Sequence, residues 1–458
     1  MANTTASAIS TGLQASRDRT KLIRDGLRKR HTTEAIFKWS GVGAIILALG
    51  FVAILFADVL VKGIPAFTQA NLHLTVTYDP AIVKIDPAPV RAAGQSDADF
   101  NRANLDWQRK VALLNWNKVV EASLRAAAPA GYEIDSKDLL SIAETDSRHT
   151  IRERFVADPS LLGKTTEIDV LASANAANWI KGNISRDASD AQQQLTPPAR
   201  TLIDQFVDNG TISNGFAWSI FTNVDSRAAP ASAGLLGAFM GSLFMMLIVI
   251  ILAVPIGVAS AIYLEEFAPK SRWTDLIEVN INNLAAVPSI VFGLLGAALF
   301  INTFHLPLSA PLAGGLVLTL MTLPTIIIAT RGALQGVSPS LRQAALGMGA
   351  SKTQMVFHHV LPVTFPSILT ATIIGVAQAL GETAPLLLIG MNAFVASVPA
   401  TPLDQATALP VQIFLWQGNE NRNFFESRTS AAIMVLLAFM ILLNAVAIFL
   451  RTRLERRA

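Results

Sequence analysis

The sequence predicts an all-α polytopic membrane protein with six transmembrane helices and an α+β extracytoplasmic domain between the first and second. Three observations carry this reading. Hydrophobic residues make up 52% of the 458 and charged residues only 15%, whereas about a quarter of a soluble chain is charged. The apolar residues gather into six stretches, 39–61, 231–264, 281–302, 311–330, 365–391 and 430–450. Each is long enough, as a helix, for the ~30 Å of hydrocarbon in a bilayer. Between the first two lies a hydrophilic segment of domain size, 62–228, so the chain reads as a tail (1–38), a first span (39–61), this domain, and a five-helix core (229–458).

Basic residues orient the spans, because Lys and Arg collect on the cytoplasmic side. They run from Arg17 to Lys38 in the tail, recur as Lys270, Arg272, Arg331, Arg342 and Lys352 in alternate connections, and end with Arg451, Arg453, Arg456 and Arg457. The opposite loops, 303–310 and 392–429, offer Arg422 and Arg428. Both termini are therefore expected in the cytoplasm, on one side of the membrane, which agrees with an even number of spans. The first apolar run is longer than the roughly 7–15 residues of a secretion-signal core, which predicts an uncleaved anchor. Residues 1–14, small and polar without periodicity, predict no regular structure. The basic stretch after them reads as a topology signal rather than a nucleic-acid patch.

The chain has no cysteine, which removes disulfides, thiolate metal sites and cysteine nucleophiles. Residues 62–227 hold seventeen basic and twenty acidic residues, a poor anion trap. Alternation over 73–85 predicts one or two strands; three- and four-residue spacing predicts helices over 97–128, 136–156 and 198–207. His73 and His149 have no companions at ligand spacing, so no metal site is expected. The segment holds no catalytic constellation, and no Gly-x-x-x-x-Gly-Lys-Ser/Thr loop occurs, so the chain is expected not to be an enzyme and not to be the ATPase of any assembly.

The connection after the fourth span is more informative. It reads Arg342-Gln343-Ala344-Ala345-Leu346-Gly347-Met348-Gly349-Ala350-Ser351 and continues to Val360-Leu361-Pro362. This resembles the EAA loop of ABC importer permeases, with Ala344, Ala345, Gly349, Leu361 and Pro362 at the family's spacing. Gln343 stands in place of the glutamate and His359 in place of the isoleucine. The resemblance implies a coupling element over 336–363, in which a short helix meets an ATPase. Ala344 and Ala345 would allow close approach, Gly349 a tight reversal, and Pro362 a restart of the helix.

Three further segments, Ala253 to Phe267, Ala286 to Gly293 and Leu380 to Leu388, with the run-in Phe216 to Thr222, are similar to signature stretches of the PstA family of phosphate permeases. The resemblance implies the ABC type I importer permease fold and phosphate import. It also implies a PstC-like second permease, a PstB-like ATPase dimer that uses ATP and Mg, and a PstS-like periplasmic phosphate-binding protein. No cofactor on this chain and no nucleic-acid partner are implied. A permease for molybdate or sulfate, or a membrane sensor, are the alternatives.

Glu382 is the only charged residue well inside a predicted span, and a lone carboxylate in hydrocarbon needs company. No other span offers a cation, so its partner is expected from a second membrane subunit, unless it is protonated. Gln378 stands where the family often has arginine. Gly381 and Pro385, flanking Glu382 and Thr383, predict an interrupted helix with free backbone donors. Pro288-Ser289 in the third span and Pro255-Gly257 in the second suggest kinks. Together these residues mark a candidate pathway or gate.

Overall fold

A computed structural model describes residues 2–92, 94–186, 190 and 193–455. The chain divides into two units, one up to Val61 and one from Lys62 onward. The first is helix α1, Ala2–Gly63, whose last two residues enter the second unit. It contains the first span, the basic tail and the small polar start that was expected to lack structure. No proline interrupts these residues, so the helix extends back from the apolar run. Met1, Arg456 and Arg457 lie outside the described residues.

From Thr68 the chain builds a three-stranded antiparallel sheet in the order β2-β1-β3, from β1 (Thr68–Thr77), β2 (Thr165–Leu171) and β3 (Ile212–Phe216). Ala70, Leu72, Leu74 and Val76 alternate into the core along β1, and Leu72 and Leu74 stand opposite Val170 and Ile168. The domain's helices are α2 (Asp97–Ala112), α3 (Asn117–Ala127), α4 (Ser136–Leu140), α5 (Ser147–Ala157), α6 (Ala174–Ile180), α7 (Pro197–Asp208) and α8 (Ser219–Thr222).

The strand expected to reach residue 85 stops at Thr77. Asp79 folds the chain into a turn, its carboxylate accepting from the Ala81 N–H at 2.8 Å and its carbonyl from Val83 at 2.8 Å. The helix expected over 97–128 breaks before Trp116, whose indole N–H caps α2 by donating to the Val111 carbonyl at 2.8 Å. The stretch 136–156 divides into α4 and α5.

The membrane elements are α9 (Leu236–Ile262, closed by a π turn Tyr263–Phe267), α10 (Arg272–Ala285), α11 (Ser289–Gly296, followed by a π turn Ala297–Thr303) and α12 (Pro311–Gln335). They continue with α13 (Pro339–Gly347), α14 (Lys352–Met355), α15 (Leu361–Gly381), α16 (Ala384–Leu388), α17 (Leu409–Gln417) and α18 (Arg422–Glu455). Among the described residues, five helical segments are long and apolar enough to cross a membrane. The third span, expected over 281–302 with a kink at Pro288-Ser289, is a pair of helical segments, 272–285 and 289–303, bent by 102°. Pro288 lacks the N–H that would carry a helix through, and it turns Val287 away from helical angles.

The packing of α9 on α12 shows what this pair does. Gly314 lies against Met245, Gly315 against Ile248, and Gly257 against Ile326; Arg331 reaches Glu265 at 3.3 Å. The order rises along both helices, so they run in the same direction. The intervening chain must return from the Glu265 end to the Pro311 end, so the bent pair makes a sixth crossing. Helix α15 runs opposite to α12, with Leu361 beside the cluster containing Leu334 and Gly375 against Thr322. Helix α18 runs with α9, from Arg428 near Ala231 and Ala233 through Phe439 on Phe239 to Arg451 on Thr370. The sheet domain joins the bundle at the N-terminal end of α9, and α13 sits at the other end.

Candidate functional site

The far end of the bundle holds the motif. Helix α13 places Gln343 and Ala344 outward, together with Leu346 and Met348, which are 46% and 78% exposed. Ala345 faces the other way. It is buried in a cluster with Ile262, Leu334, Val337, Met355, Val356 and Val360, so its small side chain serves close packing within this chain rather than a partner's approach. Gly349 has φ +89 with open space where a Cβ would stand; its glycine is required by the backbone, not by crowding. Ser351 then caps α14, accepting from the Gln354 N–H while the Gln354 side chain accepts from the Ser351 N–H.

Pro362 does not restart a helix as expected. The helix is already running from Lys352, and a π turn over Val356–Val360 precedes the half-buried Leu361 and Pro362. A π turn relieves the proline by shifting the hydrogen-bond register at the position where its missing N–H would otherwise interrupt the ladder. His359 lies in that turn and is half-buried.

Charged residues that the motif did not point to hold this end together. The Arg342 guanidinium donates to Glu266 at 2.7 and 3.2 Å and to the carbonyls of Leu334 and Val337, each at 2.7 Å. Arg331 donates to Glu265 at 3.3 Å and to Glu278, and Gln335 donates to Glu265 at 2.9 Å. Lys352 lies 5.6 Å over the ring of Phe267. Glu265 and Glu266 were read only as part of a signature stretch; a glutamate pair closing a long apolar run beside a basic loop was the available signal.

The two interrupted helices meet toward the other end. Helix α15 stops at Gly381, Glu382 is extended (φ −76, ψ 131), and α16 resumes at Ala384. The expected interruption at Gly381 to Pro385 is present. The break at Pro288 releases α11, with Pro288 exposed and Ser289 half-buried. A Cβ on Gly293 of α11 would stand 2.7 Å from Pro385 Cα and 2.9 Å from its carbonyl oxygen, so backbone meets backbone there. Pro255 causes no such break, since α9 runs through it.

Glu382 and Thr383 are half-buried, and Gln378 and Gly381 are exposed. Among the described residues no cation lies within ion-pair distance of Glu382 and its side chain makes no hydrogen bond. One correction concerns Arg428, expected in a loop. It lies inside α18, buried, donating to the carbonyls of Ala231 (2.6 Å) and Ala233, at the junction with the sheet domain. Nearby, burial pushes the Lys181 ammonium down to about 8 although it donates to the Pro65 and Thr68 carbonyls at 2.7 Å. Burial likewise raises the Glu144 carboxyl, against backbone N–H bonds from Thr145 and Ala231.

Residues 253–458 match the model of the family described as binding-protein-dependent transport system inner membrane component, and residues 24–190 match a domain of unknown function, DUF3333. A probable ABC transporter permease protein of Bacillus subtilis, YqgI, is 30% identical over 41% of this chain, which spans 62% of that relative's length. The phosphate transport system permease protein PstA of Yersinia pestis is 30% identical over 51% of this chain and 78% of its own. The chain belongs to the PstA permease family. The matched core begins within α9 and continues through the loop that carries α13 and both helix breaks. The N-terminal match to DUF3333 covers most of the sheet domain. Among solved structures, the MetNI methionine ABC transporter aligns at 20% identity over 49% of this chain and 95% of that one, with a TM-score of 0.36.

Proposed function

We propose that this permease forms half of the pathway of an ATP-driven phosphate importer in a bacterial inner membrane, with both termini and α13 in the cytoplasm and the sheet domain outside. The observation that carries the substrate is the likeness to the Yersinia pestis phosphate permease over most of that protein's length. What supports the orientation is that the basic loop, with Arg451 and Arg453, lies at the bundle end opposite the domain. A PstC-like permease supplies the other half, a PstB-like ATPase dimer hydrolyses ATP with Mg beneath the two, and a PstS-like protein delivers the anion from outside.

Coupling begins at α13, where Gln343, Ala344, Leu346 and Met348 face out toward the ATPase. A neutral Gln343 gives that contact hydrogen bonds and apolar area in place of an ion pair. Movement of α13 passes to α9, α12 and α15 and alters the meeting of α11 with α16, which opens the pathway to one side at a time. Glu382, half-buried beside that meeting, takes its cation from the second permease. A carboxylate repels an anion, so its part is gating or orienting, and the positive groups that face phosphate come mainly from the partner.

The test is uptake of labelled phosphate by proteoliposomes holding the assembled complex, with molybdate and sulfate as competitors. ATP-dependent phosphate uptake that neither competitor blocks supports the reading; preferential transport of either competitor overturns the substrate, and an absence of any associated ATPase overturns the class. Glu382→Gln is expected to reduce uptake while leaving assembly intact, and unchanged uptake would remove Glu382 from the pathway.

A further inference from the structure

We infer that Glu266 and Arg342 are a positioning pair that clamps the coupling helix to the ends of α9 and α12, so that movement of α13 is delivered to those two helices first. The inference rests on the importer reading above and adds the route by which the loop acts.

One guanidinium joins three elements here. Arg342 belongs to α13, Glu266 to the π turn that closes α9, and Leu334 and Val337 to the end of α12 and the residues just past it. The Glu266 side chain is 6% exposed and that of Arg342 21%. A carboxylate so far from water is stable only with a bound cation, and a fork of N–H donors satisfies it in a fixed direction. The remaining donors of Arg342 take the Val337 carbonyl and a further share of the Leu334 carbonyl, which also accepts the Val337 N–H at 3.2 Å. Arg331 performs a parallel task one turn earlier on α12, tying it to Glu265 and to Glu278 of α10.

The chain's other route out of α13 is of a different kind. Toward α15 it passes Gly349 with its positive φ, the cap at Ser351 and the π turn Val356–Val360. Single hydrogen bonds, apolar contacts and the approach of Lys352 to the Phe267 ring hold that route, and its backbone reverses at a glycine, where a chain yields. The stiff connection is the ionic one. In α13 the charge is thus at Arg342, directed inward, while the neighbouring Gln343 faces out without one.

The test uses the complete complex, this chain with its partner permease, ATPase and phosphate-binding protein, in proteoliposomes. The readout is phosphate taken up per ATP hydrolysed. Glu266→Gln, nearly isosteric, is expected to lower that ratio by about 10-fold, within the usual range of coupling between sites, while ATP hydrolysis continues. Arg342→Gln should do the same, and the double variant should be no worse than either single one. If assembly rather than the ratio suffers, the same rule applies to the yield of complex. An unchanged ratio in Glu266→Gln, uptake and hydrolysis falling together, or losses that multiply in the double variant would overturn the pair. Wild-type complex that hydrolyses ATP without importing phosphate would instead refute the importer reading, whatever the variants do.

Discussion

The two ends of the membrane bundle are held by different chemistry. At the end carrying α13, Arg331 meets Glu265 and Glu278 and Arg342 meets Glu266, so these glutamates find their cations within this chain. Toward the other end, helices approach through glycine, Gly293 on Pro385 and Gly314 on Met245 and Met391, and Glu382 has no cation among the described residues. In the function proposed above, the first end is the lever of coupling and the region of the helix breaks is one wall shared with a second permease.

The largest effect expected from disturbing this contrast is at Arg331. Arg331→Ala takes the shared cation from Glu265 and Glu278, whose side chains are 21% and 34% exposed; because they are only partly buried, the loss should be about 2–3 kcal/mol, at or below the low end for breaking a buried pair. Thermal unfolding of the purified permease would show it, and a melting temperature within error of wild type would refute the claim that this end is held by charge. Gly293→Ala comes next. Its Cβ would meet Pro385 backbone, which cannot swing aside as a side chain would, so about 1–3 kcal/mol of overpacking is expected, with uptake falling more than stability. A neutral result would mean that the two broken helices do not touch in the working protein.

Gly349→Ala should be milder. It meets no neighbour, but a non-glycine residue at φ +89 costs roughly 1–2 kcal/mol of stability, and uptake per ATP should fall with it. The last test concerns the sheet domain and reads a pH dependence rather than the loss of a contact. Lys181 is held near 8 when folded and has an ordinary value of 10.5. Between those values the unfolded chain binds more protons, so stability should rise with pH from about 8 to 10.5 and be independent of this group below 8. Lys181→Met should abolish that rise in melting curves taken across the range; a slope that survives the substitution would assign it to another group.

Much of the bundle was legible because spans announce themselves by length and apolarity. Five crossings stood out this way, and the break at Gly381 to Pro385 followed from a glycine and a proline flanking a carboxylate. The third crossing was harder. Residues 272–285 mix Asp275, Glu278 and three asparagines with apolar residues, so the apolar run starts late and Pro288 falls inside it, concealing a 102° bend. In the sheet domain, β2 and β3 are short and have one polar face, and their pairing with β1 is fixed by contacts far along the chain, which no local pattern records. Of the coupling loop, spacing gave the position but not the orientation. Ala344 and Ala345 are equivalent as letters, and only the fold decides that the first faces out and the second in. The partners of Arg331 and Arg342 lie more than fifty residues away in sequence, beyond the reach of a local motif.

The central claim is that the outer face of α13 is the surface an ATPase grips. The chain has no cysteine, so Met348→Cys places a single thiol on that face, where Met348 is 78% exposed. A short thiol-reactive cross-linker, applied to the assembled complex, should join this position to the ATPase subunit and do so more strongly when ATP is bound. Capture by the external binding protein, or full labelling of the thiol from outside intact cells by a membrane-impermeant reagent, would contradict the account.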